Sequence, residues 1–315
     1  MKVKLQDLIN KAQLEEQSKR TRRGYVGASM VGGECEREVF YSFRQAVRPT
    51  FPARILRRFE RGHADEDRVI EWLKGVGIIV HERRDGKQHA IESHGGLFGG
   101  HCDGLISMTD DVAAELGIAP PPTFFGVLEI KAVAGAKYAY SDETYTEIVA
   151  NKTTGKLEGR FFELQRLGVR KAQQKHWVQM QAYMGGFSEE YKKPVHWALY
   201  VAVNTDTDQI YAEYVAFNPR MWESVKARVD RVISSEAEPQ RAGENPNAGP
   251  CRFCDFKDIC HRGDAPERPC RTCAHVRVVL PGPNQKRAMW VCDYHKANAG
   301  KLCANWTQWN EEVEF

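Results

Sequence analysis

Glu129 and Lys131 stand two apart in GVLEIKAV, residues 126 to 133, inside a run that is otherwise apolar. Alternate side chains of a strand share a face, so these two charges point the same way, about 7 Å apart along the chain. Val127 shares their face, and Leu128, Ile130 and Ala132 pack behind. On its own, such a pair reads as the solvated face of a half-buried strand. Two further acids change that reading. In LFGGHCDGLIS, residues 97 to 107, a continuous strand puts Asp103 on one face with His101 and Leu105, between the small neighbours Cys102 and Gly104. Glycine weakens a strand unless something must approach closely, although Asp-Gly also marks turns. Glu66 falls on a helical stripe of Ile55, Phe59, Gly62, Glu66, Val69 and Leu73 that is spaced to face a core, where an unpaired charge is costly. Three converging carboxylates suit magnesium or manganese, hard cations that take oxygen ligands and keep waters. An ammonium beside them orients an attacking water or neutralises developing charge, and phosphodiester hydrolysis needs both services. A Rossmann or kinase reading fails for want of a suitable Gly-rich phosphate loop.

The order G-x-x-x-Glu66, Asp103, Glu129-x-Lys131, Gln179-x-x-x-Tyr183 resembles the PD-(D/E)XK nucleases, specifically the RecB-like exonucleases that include CRISPR-associated and phage members. The resemblance covers about residues 25 to 262. It implies an α/β fold, a restriction-endonuclease-like core with a mixed central sheet flanked by helices. It also implies a metal held by Glu66, Asp103 and Glu129, with Ile130 counted beside them, and Gln179 and Tyr183 guiding the substrate strand. His176, Gln179 and Tyr183 are spaced three and four apart and share a helix face, consistent with reaching one groove. Many relatives carry His four residues after the glycine. This chain has Glu66 there, with His63 one turn earlier as an auxiliary metal contact.

The second chemistry is thiol chemistry. Of nine cysteines, seven fall between Cys251 and Cys303, too many and too clustered for a disulfide framework in a reducing compartment. Cys251, Cys254 and Cys260 form C-x2-C-x5-C, one ligand short of a cluster site. The resemblance supplies Cys35 as the fourth and implies a [4Fe-4S] group closing a loop of more than two hundred residues, the kind of long closure that gains most in entropy. Zinc held by the same thiols is the alternative that spacing leaves open. Relatives usually have Pro after the first cysteine, where this chain has Glu36, while the basic Arg37 is kept. Farther on, Cys270 and Cys273, then Cys292 and His295, match the paired knuckles of a zinc-ribbon-like module, with Cys303 the rival of His295 as fourth ligand. Trp290, Trp306 and Trp309 pack that module or stack on bases. Cys102 is a core thiol.

The elements that must position these residues are legible in outline. Helical patterns cover 1 to 20, 34 to 44, 51 to 74, 169 to 185 and 219 to 237, and strands cover 77 to 82, 97 to 107, 124 to 131, 195 to 203 and 209 to 217, with Asn204, Asp206 and Asp208 as a hairpin signal. Residues 136 to 160 read as a surface excursion, and QRAGENPNAGP, 240 to 250, as a linker. The expected organisation is helices and nuclease core over 1 to 240, linker and cysteine cluster over 241 to 265, and ribbon over 266 to 315. The 315 residues carry a formal net charge of only +3, but basic residues gather locally, and Arg20, Arg22, Arg23, Arg57 and Arg58 are candidate phosphate contacts. No window reaches the length of a membrane span and MKVKLQDLIN has no signal-peptide core, so a cytoplasmic protein is expected. The function these features imply is a magnesium- or manganese-dependent exonuclease acting on single-stranded DNA or duplex ends, with a recombination or CRISPR-adaptation partner. The rivals are a non-catalytic nucleic-acid-binding scaffold of the same fold and an RNA-directed nuclease. Lys131 separates the first rival, because a mere binder has little use for an ammonium beside two acids.

Overall fold

The computed structural model describes residues 4–118, 125–133, 159–300 and 303–309. The surface excursion expected at 136 to 160 lies almost wholly outside them. The chain divides into two compact units, and the division does not follow chain order: one comprises 57–91 and 101–222, the other 1–56, 92–100 and 223–315.

The first of these units is built on a five-stranded mixed sheet, in the order Ile210–Ala216, Trp197–Asn204, Gly126–Val133, Gly104–Ser107, Ile79–His81. The central pair is parallel, with Glu129 opposite Tyr200 and Lys131 opposite Ala202, and the remaining pairs are antiparallel. Alternation along Gly126–Val133 works as its sequence requires. Leu128 and Ile130 join Ile106, Leu199, Val201 and Val203 in a core cluster, and Val69 and Ile70 of the helix Ala53–Gly75 pack into it. That helix closes through Gly77 at φ 83°, where Ile78 N–H reaches back to Leu73 O, a left-handed termination that suits glycine. The helix Gln174–Tyr191 buries Gln179, Tyr183 and eight other residues. It presents Gly185 to Trp222 so closely that a Cβ would lie 2.3 Å from the indole ring. Two shorter helices, Arg160–Leu167 and Val169–Ala172, precede it.

Three sequence expectations change here. The single strand over 97 to 107 is two strands, Phe98–His101 and Gly104–Ser107, which pair in different sheets. The reason lies at the bend: Cys102 N–H donates to His89 O, and the Asp103 carboxylate takes the Ile130 N–H at 2.6 Å, the donor a continuing strand would have used. The helix expected over 169 to 185 breaks at Gln173 and then runs on to Tyr191. The apolar stripe of the long helix holds only in its second half. Phe59 is 44% exposed, and Asp65, not Glu66, is the fully inward acid, held by Arg68 at 2.7 Å and Arg61 at 3.8 Å.

The other unit gathers the helices Leu5–Lys19, Ala28–Val31 and Glu36–Arg44 with most of Pro219–Ser234 and the cysteine-rich segments. Arg44 is buried within it and donates to the carbonyls of Ser235, Arg271 and Val276 while lying over the Phe40 and Trp290 rings. Val276–Val279, Met289–Cys292 and Ala297–Asn298 form a three-stranded antiparallel sheet. Trp309 packs on Phe40 and Tyr41, not within this small sheet. Among the described residues no helix is long and apolar enough to cross a membrane.

Candidate active site

Glu129 has no exposed surface. Its Oε1 lies 2.5 Å from the Lys131 ammonium, and its Oε2 is buried and meets no hydrogen-bond donor among the described residues. Lys131 Nζ also donates to its neighbour's main chain, Ile130 O, at 2.9 Å. Asp103 enters from the bend before Gly104–Ser107 and is fixed by the Ile130 N–H, so one residue of the central strand orients an acid through its N–H and the ammonium through its C=O. Glu66 is half-buried, with His63 Nδ1 3.3 Å from its Oε2.

The electrostatics show that these groups share one neighbourhood. Burial pushes Glu129 up to about 8; Lys131 opposes that shift, and Asp103 and Glu66 reinforce it. Burial likewise raises Glu66, helped by Asp103, and raises Asp103, opposed by Lys131 and the Ile130 N–H. Lys131 is pulled downward by burial but is held above its ordinary value by Glu129, Asp103 and Glu66. Carboxylates from three distant parts of the chain thus feel one another across a low-dielectric site with a single ammonium among them. As they stand, no group of three or more His, Cys, Asp or Glu side chains among the described residues is arranged to hold a metal ion. The ammonium is the cation that Glu129 and the Ile130 carbonyl grip. The donor set nevertheless fits a hard divalent ion: it is all oxygen, and one buried carboxylate oxygen is without a partner.

Hydrogen bonds and an ion pair join Asp103, Ile130, Lys131 and Glu129, and Glu66 is linked to them through their fields; His63 lies on the outer side of its helix, its side chain 78% exposed. Of the residues expected to share a helix face, Tyr183 lies within the field of Glu129 and Asp103 and His176 within that of Lys131. Tyr183 is 2% exposed and its hydroxyl donates to His101 O at 2.5 Å, while Gln179 Nε2 donates to that hydroxyl at 3.0 Å. Both side chains turn into the core, where they tie the helix to the residue preceding Cys102 and Asp103. His176 Nδ1 lies 2.9 Å from the Tyr200 hydroxyl, and burial followed by the nearby Lys131 lowers its pKa to about 3. Tyr200 is the register partner of Glu129. Sequence reasoning missed it, because a tyrosine in an apolar strand carries no signal until the strand pairing is known. Of the candidate phosphate contacts, Arg22 is already engaged, by Gln45 O and the Glu267 carboxylate.

In the other unit, Cys35, Cys251, Cys254 and Cys260 line one cavity together with Arg37 and His261. Cys35 is the residue immediately before the helix Glu36–Arg44. Cys251 and Cys254 are both raised, first by burial and then by other groups that include Cys35. His261 Nε2 is buried there without a partner among the described residues. The cavity therefore offers four thiols and an orphaned nitrogen to an electron-deficient group. In the C-terminal sheet Cys270 is raised by burial and by Cys303, Cys273 and Cys292. Cys273 and Cys292 pack together with Val276, and Cys270 packs against them. His295 is exposed, its ring edge-on to Tyr294 at 5.0 Å. Cys303 lies within the field of Cys270, and His295 stands on the exposed side.

Residues 141–261 match the family model of the PD-(D/E)XK nuclease superfamily. The match spans less than half of the chain. It takes in Gln179, Tyr183, Cys251, Cys254 and Cys260 and leaves Glu66, Asp103, Glu129 and Lys131 outside. Among solved structures, an alkaline exonuclease from Laribacter hongkongensis, LHK-Exo, is similar with a TM-score of 0.39 and 16% identity over 72% of this chain and 90% of that one. SSO0001 is similar with a TM-score of 0.37 and 16% identity over 82% of this chain and 98% of that one. No curated protein matches.

Proposed function

We propose that this protein is a magnesium- or manganese-dependent nuclease of the PD-(D/E)XK kind, acting as a DNA exonuclease. The observation that carries the reading is Glu129: a fully buried carboxylate with one oxygen that meets no donor among the described residues, beside Lys131 and within the field of Asp103 and Glu66. A protein has little reason to keep that arrangement unless a cation completes it. The family match over 141–261 supports the same reading from a different part of the chain.

Glu66, Asp103 and Glu129, with the Ile130 carbonyl, would hold the ion, which when bound supplies a water of lowered pKa and polarises the phosphate. The chain's own contribution is positional and electrostatic. The Ile130 N–H keeps Asp103 in one orientation. Lys131 remains protonated across the working pH range and stands where negative charge builds on the phosphorus oxygens as water adds and the sugar oxygen departs. Gln179 and Tyr183 hold the His101 carbonyl and thereby the bend that carries Asp103. Four cysteines around one cavity would hold a [4Fe-4S] group, and Cys270, Cys273, Cys292 and Cys303 a structural Zn2+.

The test is digestion of end-labelled single-stranded and duplex DNA with Mn2+ by wild type, Glu129→Gln and Lys131→Ala. Loss of about 100-fold or more in rate by Lys131→Ala, with DNA binding retained, is the expected result. Equal degradation by all three proteins would overturn the assignment, and internal cuts without terminal release would replace the exonuclease with an endonuclease.

A further inference from the structure

The four-cysteine cavity contains more than thiols. Arg37 Nη1 lies 3.8 Å from Cys260 Sγ and 3.2 Å from the Glu238 carboxylate, while its Nε donates to Pro239 O. The guanidinium is thus held from two sides with one N–H aimed at a ligand sulfur. His261, next to Cys260 in sequence, lines the same cavity with its Nε2 buried and without a partner among the described residues. Arg241 and Lys257 also line it, against the single acid Glu38. A brace that merely joins distant parts of the chain needs only the four thiolates. A buried imidazole nitrogen with nothing to bond is costly, unless the occupant of the cavity accepts from it.

We propose that Arg37 and His261 are positioning residues that donate N–H groups to the sulfurs of the cysteine-held group, raising its reduction potential and making it a one-electron acceptor and not an inert staple. The inference rests on the reading that this group is an iron-sulfur cluster. An N–H pointed at a thiolate or sulfide stabilises negative charge on sulfur. The reduced state carries one more electron than the oxidised state and is stabilised more, so the potential moves upward. Reduction takes one electron from a low-potential one-electron donor, in the titration below dithionite acting through viologen mediators, and requires no bond to form or break. Two donors on two different elements, Arg37 in the helix Glu36–Arg44 and His261 in Lys257–Arg262, converge on one sulfur-lined space.

The experiment uses the full chain, purified anaerobically, as wild type, Arg37→Met, His261→Phe and the double variant. Iron and acid-labile sulfide are assayed first, far-UV circular dichroism checks the fold, and the potential is measured by titration with redox mediators followed by visible absorption and electron paramagnetic resonance. All four proteins are expected to retain iron and sulfide. Each single variant should be reduced at a more negative potential than wild type, and the double variant at the most negative. Unchanged potentials with the cluster retained would overturn the proposal. So would loss of iron from both folded single variants, which would make these residues necessary for retention instead of tuning. Zinc without iron or sulfide in the wild type overturns the cluster reading itself, and this inference with it, an outcome that the first assay separates from the others.

Discussion

Glu129 and Tyr200 are register partners across the parallel strands Gly126–Val133 and Trp197–Asn204, so the most buried acid of the site shares a sheet face with a tyrosine that is itself wholly buried. The Tyr200 hydroxyl reaches His176 Nδ1 at 2.9 Å, and His176 lies within the field of Lys131. The wall of the site beside Glu129 is therefore a neutral hydrogen-bonded pair. Tyr200→Phe keeps the ring and removes the bond, leaving the half-buried imidazole to find water. A loss of about 0.5 to 1.5 kcal/mol in stability is expected from urea denaturation, with a decrease in cleavage rate smaller than that of Lys131→Ala. A rate loss as large as that of Lys131→Ala would move Tyr200 into the reacting set.

Tyr183 offers a sharper discrimination. Its hydroxyl is fully committed, donating to His101 O and accepting from Gln179. Tyr183→Phe should therefore lower stability by about 1 kcal/mol and lower kcat by loosening the bend at Cys102 and Asp103, with little change in KM for DNA. If the tyrosine instead touches the substrate strand, the variant will raise KM and leave the denaturation midpoint in place. Steady-state kinetics and urea titration on one preparation distinguish the two outcomes.

The parts of this site that were legible in the sequence are those that depend on a single element. Alternation along residues 126 to 133 put Glu129 and Lys131 on one face and Leu128 and Ile130 on the other, and the core cluster follows that division. The cysteine cavity was not legible from one element: spacing gave Cys251, Cys254 and Cys260, and only the resemblance pointed to Cys35, which lines the same cavity. Failures came where a second element decides. Residues 97 to 107 have a strand's composition throughout, and only the partner N–H of Ile130 shows why the ladder stops at Asp103. The helical stripe through Phe59 and Glu66 counted periodicity correctly but had no means of knowing that Asp65, paired with the half-exposed Arg61 and Arg68, would be the buried acid instead. Likewise, spacing put Gln179 and Tyr183 on one face without saying whether that face met solvent or the core.

A pH dependence of stability follows from His89, which is buried with its Nε2 unpartnered and whose carbonyl accepts from Cys102 N–H beside the site. Burial, then the neighbouring His81 and Arg84, lowers its pKa in the folded chain. Below about pH 6.5 the unfolded chain takes up a proton that the folded chain resists. Stability should therefore be full near neutral pH and fall as the solution is acidified through that value. His89→Phe removes the titration, and its melting temperature should decline less between pH 7 and pH 5 than that of wild type. Parallel declines in both proteins would assign the acid sensitivity elsewhere.

The C-terminal sheet poses a choice between two ligands that spacing alone left open. Cys270 is influenced by Cys303, Cys273 and Cys292, whereas His295 is exposed and stands against Tyr294. Thiolates also bind Zn2+ strongly enough to contribute folding energy to a small module. If Zn2+ occupies this module, Cys303→Ser should lose about one equivalent of it, as Cys270→Ser does, while His295→Ala should retain it. Metal analysis of protein dialysed against a weak chelator reads the difference directly. Tryptophan emission reports on the same event, because Trp290 and Trp306 pack against the Cys273, Val276 and Cys292 cluster and should become more solvent-exposed when the ligand set is broken. Zinc lost from His295→Ala but kept by Cys303→Ser would return the imidazole to the site and require Tyr294 and His295 to turn inward on binding.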